Sequence, residues 1–418
     1  MGRTAKNRNT PHLPPVKRIE LSSSHVKLRI ALALLLLAVG IAVLGHAITA
    51  LLTPETGWTE IEANSSAELN CAEDFVFLYP VGASGASPTA EKKALTTLYT
   101  QASVTAYRLF SNDADFDGLN NVRSINRHPN EELTVDPALY GAFAQIAASG
   151  DRSLYLAPIY DIYDGIFHCD DDVQTADFDP RQNDELRAWF LEVCAYANDP
   201  AHVNLELLGE NRVRLRVSEE YLACAEAEEI DSFIDFYWMK NAFIADYLAD
   251  ALLQGGCPIG TISSFDGFAR NLDAGSGADY ALNIYDRVGQ NIYPAAVMHY
   301  SGARSIVSLR NYPGHTRDAL RFYALRSGEI RTPYLDARDG LERSALNDLT
   351  VYSADRNCGE ILLELIPVYI ADEFRPDALP AGGIDAIYCE NRVIHHTEAA
   401  LELSDLYRDD TIQYERAP

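Results

Sequence analysis

The chain is poor in positive charge. It carries 34 Lys and Arg against 61 Asp and Glu, for a formal net charge of −27 over 418 residues. That balance repels phosphate at most approaches and excludes a general nucleic-acid binder. Closely spaced cysteines are also missing. The seven cysteines, at 71, 169, 194, 224, 257, 358 and 389, contain no CxxC, so a thiolate zinc site or a small disulfide scaffold is excluded. Their odd number leaves at least one thiol free or paired between molecules. No GxSxG, HExxH, GxxxxGK[ST] or GxGxxG occurs, which removes the simplest hydrolase, zinc-protease and nucleotide-loop readings. Internal repeats are absent, and no Pro/Ser-rich break divides the chain after Phe75. Only 23% of residues are charged and 47% are hydrophobic. The acidity therefore reflects scarce basic residues and not a disordered acidic tract, and the chain can bury a core.

What positive charge there is collects at the start. Residues 1–29 hold seven basic side chains and one acid, leaving −33 on the remaining 389 residues. Ile30 to Thr53 is then a 24-residue run without a formal charge, which as a helix reaches about 36 Å. The expectation is a single-pass transmembrane anchor at 30–53 with a cytoplasmic basic tail at 1–29, a linker at 54–74 and an extracytoplasmic domain at 75–418. A cleaved signal peptide ending near Ala47–Ala50 is the alternative. Either arrangement exports the bulk of the chain, and the first ties it to the cell membrane.

Beyond the linker, which contains the sequon Asn64-Ser65-Ser66, the pattern is α+β. A short apolar strand at Phe75–Tyr79 leads into a helical stretch from Ala90 to Phe110. Helical periodicity recurs at Pro137–Ala148, Asp184–Ala197, Ile234–Leu253 and Asn357–Tyr369, the last interrupted by Pro367. Alternating residues predict a hairpin of Val203–Leu207 with Val213–Val217, and strands at Tyr280–Tyr285, Ala303–Leu309, Leu349–Tyr352 and Ala386–Cys389. The aromatic run Phe233, Phe236, Tyr237 and Trp238 is expected in a helix core.

One local motif stands apart. Asp113, Asp115, Asp117 and Gly118 have the DxDxDG spacing of a calcium loop, but position 12 is Ser124 and not the bidentate Glu, so Ca2+ competes with a solvated acidic loop. His168-Cys169-Asp170-Asp171-Asp172 is expected to be a solvated turn.

The order of several segments resembles the FAD:protein FMN transferases, the ApbE flavin transferases, which are commonly exported and membrane-tethered. Val122-Arg123-Ser124-Ile125-Asn126 followed by Asp136-Pro137 resembles the family's Ser-x-Ile-x-x-Ile-Asn region. Ile234-Asp235 with Asp246 resembles its Asp-Leu-Gly-Gly-Ile-Ala-Lys-Gly-Tyr-Ala-x-Asp. Ser264-Phe265-Asp266-Gly267 resembles Asn-x-Gly-Gly, and Ser305 to Tyr312 resembles Ala-Ile-Ala-Thr-Ser-Gly-Asp-Tyr. Tyr334 to Gly340 resembles Ile-Ile-Asp-Pro-Arg-Thr-Gly, and Gly359 to Glu364 resembles the metal segment Ala-Asp-Ala-x-x-Thr. Departures are clear: Asn241 fills the lysine slot with Lys240 one residue early, Asp266 and Arg310 replace glycines, and Pro333 replaces a histidine.

The resemblance implies a large mixed α/β domain, FAD as substrate, a divalent metal such as Mg2+, and a Ser/Thr acceptor on an extracytoplasmic flavoprotein. It places FAD near Lys240, Asp266, Gly267, Ser308 and Asp336. It places the metal at Glu360, with Glu364 one turn later on the same helix face. Breaking a pyrophosphate calls for a hard cation on oxygen ligands. The departures sustain the alternative of a catalytically degenerate flavin- or protein-binding relative.

Overall fold

The computed structural model describes residues 26–52, 56–64, 69–273, 275–380 and 382–417. The chain divides into two units, Met1–Pro54 and Glu55–Pro418. In the first, α1 (Val26–Leu52) is 27 residues long, and Leu34, Leu36 and Ile41 on it are exposed. The basic tail and Thr53 fall largely outside the described residues. Among the described residues no helix is long and apolar enough to cross a membrane. The sequon likewise lies partly outside them.

The second unit is built on nine strands. They are β1 (Gly57–Glu60), β2 (Phe75–Val81), β6 (Ile259–Ser264), β7 (Phe268–Asp273), β10 (Arg304–Arg310), β13 (Asp348–Ser353), β14 (Asp385–Glu390), β15 (Val393–His396) and β17 (Glu415–Arg416), adjacent in that order. All neighbours are antiparallel except β15 with β17. Alternation of side chains splits two cores across this sheet. On β14, Ala386 and Tyr388 join the helical core, while Ile387 and Cys389 face the second core.

The helical side carries α2 (Pro88–Phe110), α8 (Lys240–Gln254) and α9 (Cys358–Tyr369). Helix α2 starts where Ser87 Oγ accepts the Ala90 N–H and Pro88 fills the first turn, a normal N-terminal signal. Its buried stripe runs through Leu95, Tyr99, Ala102, Ala106 and Leu109, the spacing of one helix face. Helix α8 begins later than the apolar pattern suggests. Asp235 Oδ1 accepts the Tyr237 N–H at 2.8 Å, and Tyr237 takes φ +44°, so the chain turns before the helix starts. The aromatic run is therefore a turn, with Phe233, Phe236 and Trp238 buried in the core. Pro367 does not break α9; it sits in the last turn.

On the opposite face lies a three-stranded sheet of β16 (Glu402–Ser404), β9 (Asn291–Ser301) and β8 (Asp279–Val288). Pro294 lies opposite Tyr285 at an irregularity of the β8–β9 ladder, where a missing N–H costs least.

A third sheet joins β3 (Glu132–Thr134), β5 (Arg212–Val217) and β4 (Val203–Gly209), the last two being the expected hairpin. Short strands β11 (Tyr323–Ala324) and β12 (Ile330–Arg331) pair separately. Helices α3 (Val122–Arg127), α4 (Pro137–Ser149), α5 (Ala157–Tyr163), α6 (Asp184–Asn198) and α7 (Glu219–Ala227) complete the domain. Asn126 on α3 accepts the N–H groups of Phe233 and Ile234, each at 3.0 Å, and so fixes the segment leading to α8.

All seven cysteines are free thiols. Cys71, Cys194, Cys257, Cys358 and Cys389 are buried, and burial raises their thiol pKa values.

Candidate ligand site

Two of the motif-like segments meet. The turn between β6 and β7 closes when Ser264 Oγ accepts the Phe268 N–H at 3.0 Å. Gly267 crosses directly over β10: the Ser308 N–H donates to its carbonyl at 2.8 Å. Its φ is +110°, and a Cβ there would collide with the Ser308 carbonyl. Only glycine allows this approach.

Beside that crossing lies a cavity of about 300 Å³. Its polar wall is a relay on neighbouring strands. Ser308 Oγ lies 2.9 Å from Thr350 Oγ1, Thr350 Oγ1 donates to Asp348 Oδ1 at 3.3 Å, and the Tyr312 hydroxyl donates to Asp348 Oδ2 at 2.7 Å. Burial pushes the Asp348 carboxyl up to about 6, against the pull of the Tyr312 hydrogen bond, as expected of a carboxylate withdrawn from water. Leu282 and Ile292 of the β8–β9 hairpin supply an apolar wall. At one side Phe265 stacks on His315 with centroids 4.5 Å apart, and the Arg317 guanidinium lies 5.0 Å from the Phe265 ring centre.

Arg310 also lines this cavity, where it is pinned by Asp318 and by the Phe265 carbonyl. Asp318 in turn accepts the N–H groups of Gly314 at 3.1 Å and His315 at 2.8 Å. Arg310 is thus held by its own loop and by the β6–β7 turn.

The other expected residues lie elsewhere. Asp266 turns away from the cavity: its Oδ2 accepts Arg321 Nη1 at 2.7 Å and Asn241 Nδ2 at 3.0 Å. Asp266 Oδ1 and Asn241 Oδ1 are both buried without a partner. Lys240 lines a second cavity, of about 320 Å³, together with Arg321 and Pro333. Asp336 lines a third, of about 820 Å³, and is tied to Arg338 and, at 3.1 Å, to Arg343. Of the five residues expected around FAD, only Gly267 and Ser308 share one cavity.

The expected metal ligands are already engaged. Glu360 is the third residue of a capping box: its carboxylate accepts the Asn357 N–H at 3.2 Å, while its own N–H donates to Asn357 Oδ1 at 2.8 Å. Glu364 pairs with Arg356 at 3.1 Å. The neighbouring Asp246 accepts the N–H groups of Cys358 and Gly359, each at 2.9 Å, and Arg270 Nη1 at 2.6 Å. Helix α9 thus begins on protein carboxylates.

The three aspartates of the expected calcium loop have different surroundings. Phe116 bridges to Leu119, so Asp117 and Gly118 form a tight hairpin turn, not the wide arc of a cation loop. Asp115 pairs with Arg123 at 3.6 Å and with Arg127, and Asp113 faces the second cavity. Among the described residues no group of three His, Cys, Asp or Glu side chains could hold a metal.

Solved structures share this architecture. The flavin transferase ApbE from Vibrio cholerae matches at a TM-score of 0.51 and 12% identity, over 82% of this chain and 98% of that one. Its fold is that of the ApbE flavin transferases. The ApbE protein from Thermotoga maritima matches at 0.49 and 15% identity, over 84% of this chain and 100% of its own length. The apo flavinyl transferase ApbE from Pseudomonas stutzeri matches at 0.47 and 14%, over 77% and 90%. No family model and no curated protein matches the sequence.

Within this ApbE fold, Asp348, Thr350 and His315 form part of the cavity wall without having been singled out in the sequence. Asp348 and Thr350 lie two residues apart on β13, so the strand's alternation puts them on one face. That spacing was the available signal.

Proposed function

We propose that this protein is a flavin-binding relative of the ApbE transferases, held at a membrane by its N-terminal segment, that does not transfer FMN. The carrying observation is the use of Glu360 and Glu364. Transfer from FAD breaks a pyrophosphate and needs a hard cation on free oxygen ligands. Here the two carboxylates that the resemblance assigns to that cation cap α9 and pair with Arg356. The donor set does not fit the metal.

The cavity fits part of the flavin better. At about 300 Å³ it lies at the lower limit of ligand pockets, roughly 300–1,000 Å³, room for one ring system and not a dinucleotide. The hydroxyls of Ser308 and Thr350 and the Asp348 carboxylate offer a hydrogen-bonding edge beside the apolar wall. The membrane tether is supported by the uncharged run from Ile30 to Thr53 and the basic residues before it.

Fluorescence titration of the full chain in detergent tests the reading. FMN and riboflavin are expected to be quenched on binding, to similar extents with and without Mg2+, and Thr350→Val is expected to weaken both. Covalent labelling of a Ser/Thr acceptor peptide from FAD would identify an active transferase instead. Absence of any flavin quenching would remove the flavin reading.

A further inference from the structure

The second cavity, of about 320 Å³, holds charges that the fold leaves unpaired. The Lys240 ammonium on one wall makes no hydrogen bond and no ion pair, and neither do the carboxylates of Asp113 and Asp161. All three line the same space, so opposite charges face it without meeting each other. Arg321 stands with Lys240, although one of its nitrogens is already on Asp266. Asp164 and Asp235 also line the cavity, but their oxygens are used by the Tyr237 hydroxyl at 2.8 Å and by Asn112 Nδ2 at 3.1 Å.

The negative side is under-neutralised. Although part of Asp161 is open to solvent, burial and then Asp235, Asp113 and Asp164 push its carboxyl up to about 6, so a cation arriving there is favoured. The same cavity is lined by aromatic side chains. Tyr160 and Tyr237 stack with centroids 4.5 Å apart, a surface that also attracts ammonium groups. Trp238 lines the cavity and is 2% exposed. Its indole N–H lies toward the Tyr160 hydroxyl without reaching hydrogen-bonding geometry, and the Tyr160 proton itself goes to the Ser153 carbonyl at 2.9 Å. A buried donor without an acceptor is costly unless a ligand supplies one.

We infer that this cavity binds a small zwitterion of the amino-acid class, its ammonium between Asp113 and Asp161 and its carboxylate at Lys240. Charges of both signs lining one open cavity suit a ligand that carries both. A purely cationic ligand would leave Lys240 facing it, and a purely anionic one would face the aspartates. None of these residues lines the cavity at Ser308 and Asp348, but the inference gives a different ligand to Lys240, which the resemblance placed near FAD.

Calorimetry on the full chain in detergent tests it with L-phenylalanine, 2-phenylethylamine and 3-phenylpropionate. The zwitterion is expected to bind at least about tenfold tighter than either singly charged analogue, a difference of about 1.4 kcal/mol. Asp161→Asn and Lys240→Met should each weaken phenylalanine binding about tenfold while FMN binding, measured on the same samples, is unchanged. Equal affinity for phenylethylamine and phenylalanine would reduce the cavity to general attraction of cations by an acidic surface. No heat with millimolar phenylalanine, or equal heats from wild type and both variants, would overturn the inference.

Discussion

Two charged regions of this domain are handled in opposite ways. Around Arg331, whose side chain is 5% exposed, every charge is answered from within. Its Nε donates to Asp179 at 2.8 Å, its Nη1 reaches Glu342 at 3.4 Å, and Arg181 donates to the same glutamate at 2.6 Å. Gln182 adds a further donor to Asp179 at 2.9 Å. Around Lys240, Asp113 and Asp161 the charges face a cavity and stay apart. Where the fold must bury charge it uses arginines, which outnumber lysines 28 to 6 in this chain. Of the charges at the cavity, the half-buried Lys240 is the informative one, its charge acting on the buried carboxyl of Asp235 without an ion pair, whereas Asp113 and Asp161 are exposed, where a carboxylate needs no partner.

The largest expected effect comes from breaking the paired region. Arg331→Met leaves Asp179 buried against an apolar side chain and should cost about 3–5 kcal/mol in chemical denaturation. A loss below about 1 kcal/mol would mean that the network is not holding the domain together, and the contrast would collapse.

Asp348 stands between the two extremes, being buried with hydrogen bonds but no ion pair. Its folded pKa, about 6, lies above the ordinary value of 3.8, so the native state holds its proton longer than the unfolded chain. That carboxyl therefore subtracts stability as pH rises from about 4 to about 6, by up to roughly 3 kcal/mol. The difference in unfolding free energy between wild type and Asp348→Asn, followed across that window, should move in favour of the variant as pH increases. A flat difference would show that Asp348 ionises as freely as in the unfolded chain.

Next comes the capping carboxylate. Glu360→Ala should lower stability by about 1 kcal/mol at neutral pH through loss of the box at α9, with no change in the response to Mg2+. A selective loss of Mg2+ binding in this variant would return Glu360 to the metal role that the resemblance assigned it. Smallest of all, Asp161→Asn removes no hydrogen bond and, because the fold raises the pKa of this solvent-screened carboxyl, should raise stability at neutral pH by less than about 1 kcal/mol. A substantial loss would place Asp161 with the structural charges and sharpen the division against it.

Elements with clean local patterns were legible in the sequence. Strand β2, helix α2 and the β4–β5 hairpin follow from apolar spacing, a serine cap and alternation. Strand β9 was not, because Pro294 reads as a breaker unless its place opposite Tyr285 is known. The late start of α8 was hidden for a related reason: the turn at Asp235–Tyr237 depends on a side-chain hydrogen bond and a positive φ, which leave no periodic trace. At the site, Gly267 and Ser308 could be found by resemblance, since each belongs to a short ordered segment. The engagement of Glu360 and Glu364 could have been suspected, because Asn357 three residues before Glu360 is itself a capping-box spacing. The pairing of Asp266 with Arg321 joins residues 55 positions apart and had no local signature at all.

The sequestered thiols bear on how the domain reaches its working form. With all seven sulfurs free, its native state owes nothing to thiol oxidation, so a chain delivered across a membrane would not have to wait for an oxidase or an isomerase. A thiol locked inside the core meets an alkylating reagent only when its surroundings open. Cys358 at the start of α9 and Cys389 on β14 therefore act as internal clocks on opposite sides of the main sheet, each timing the opening of its own layer.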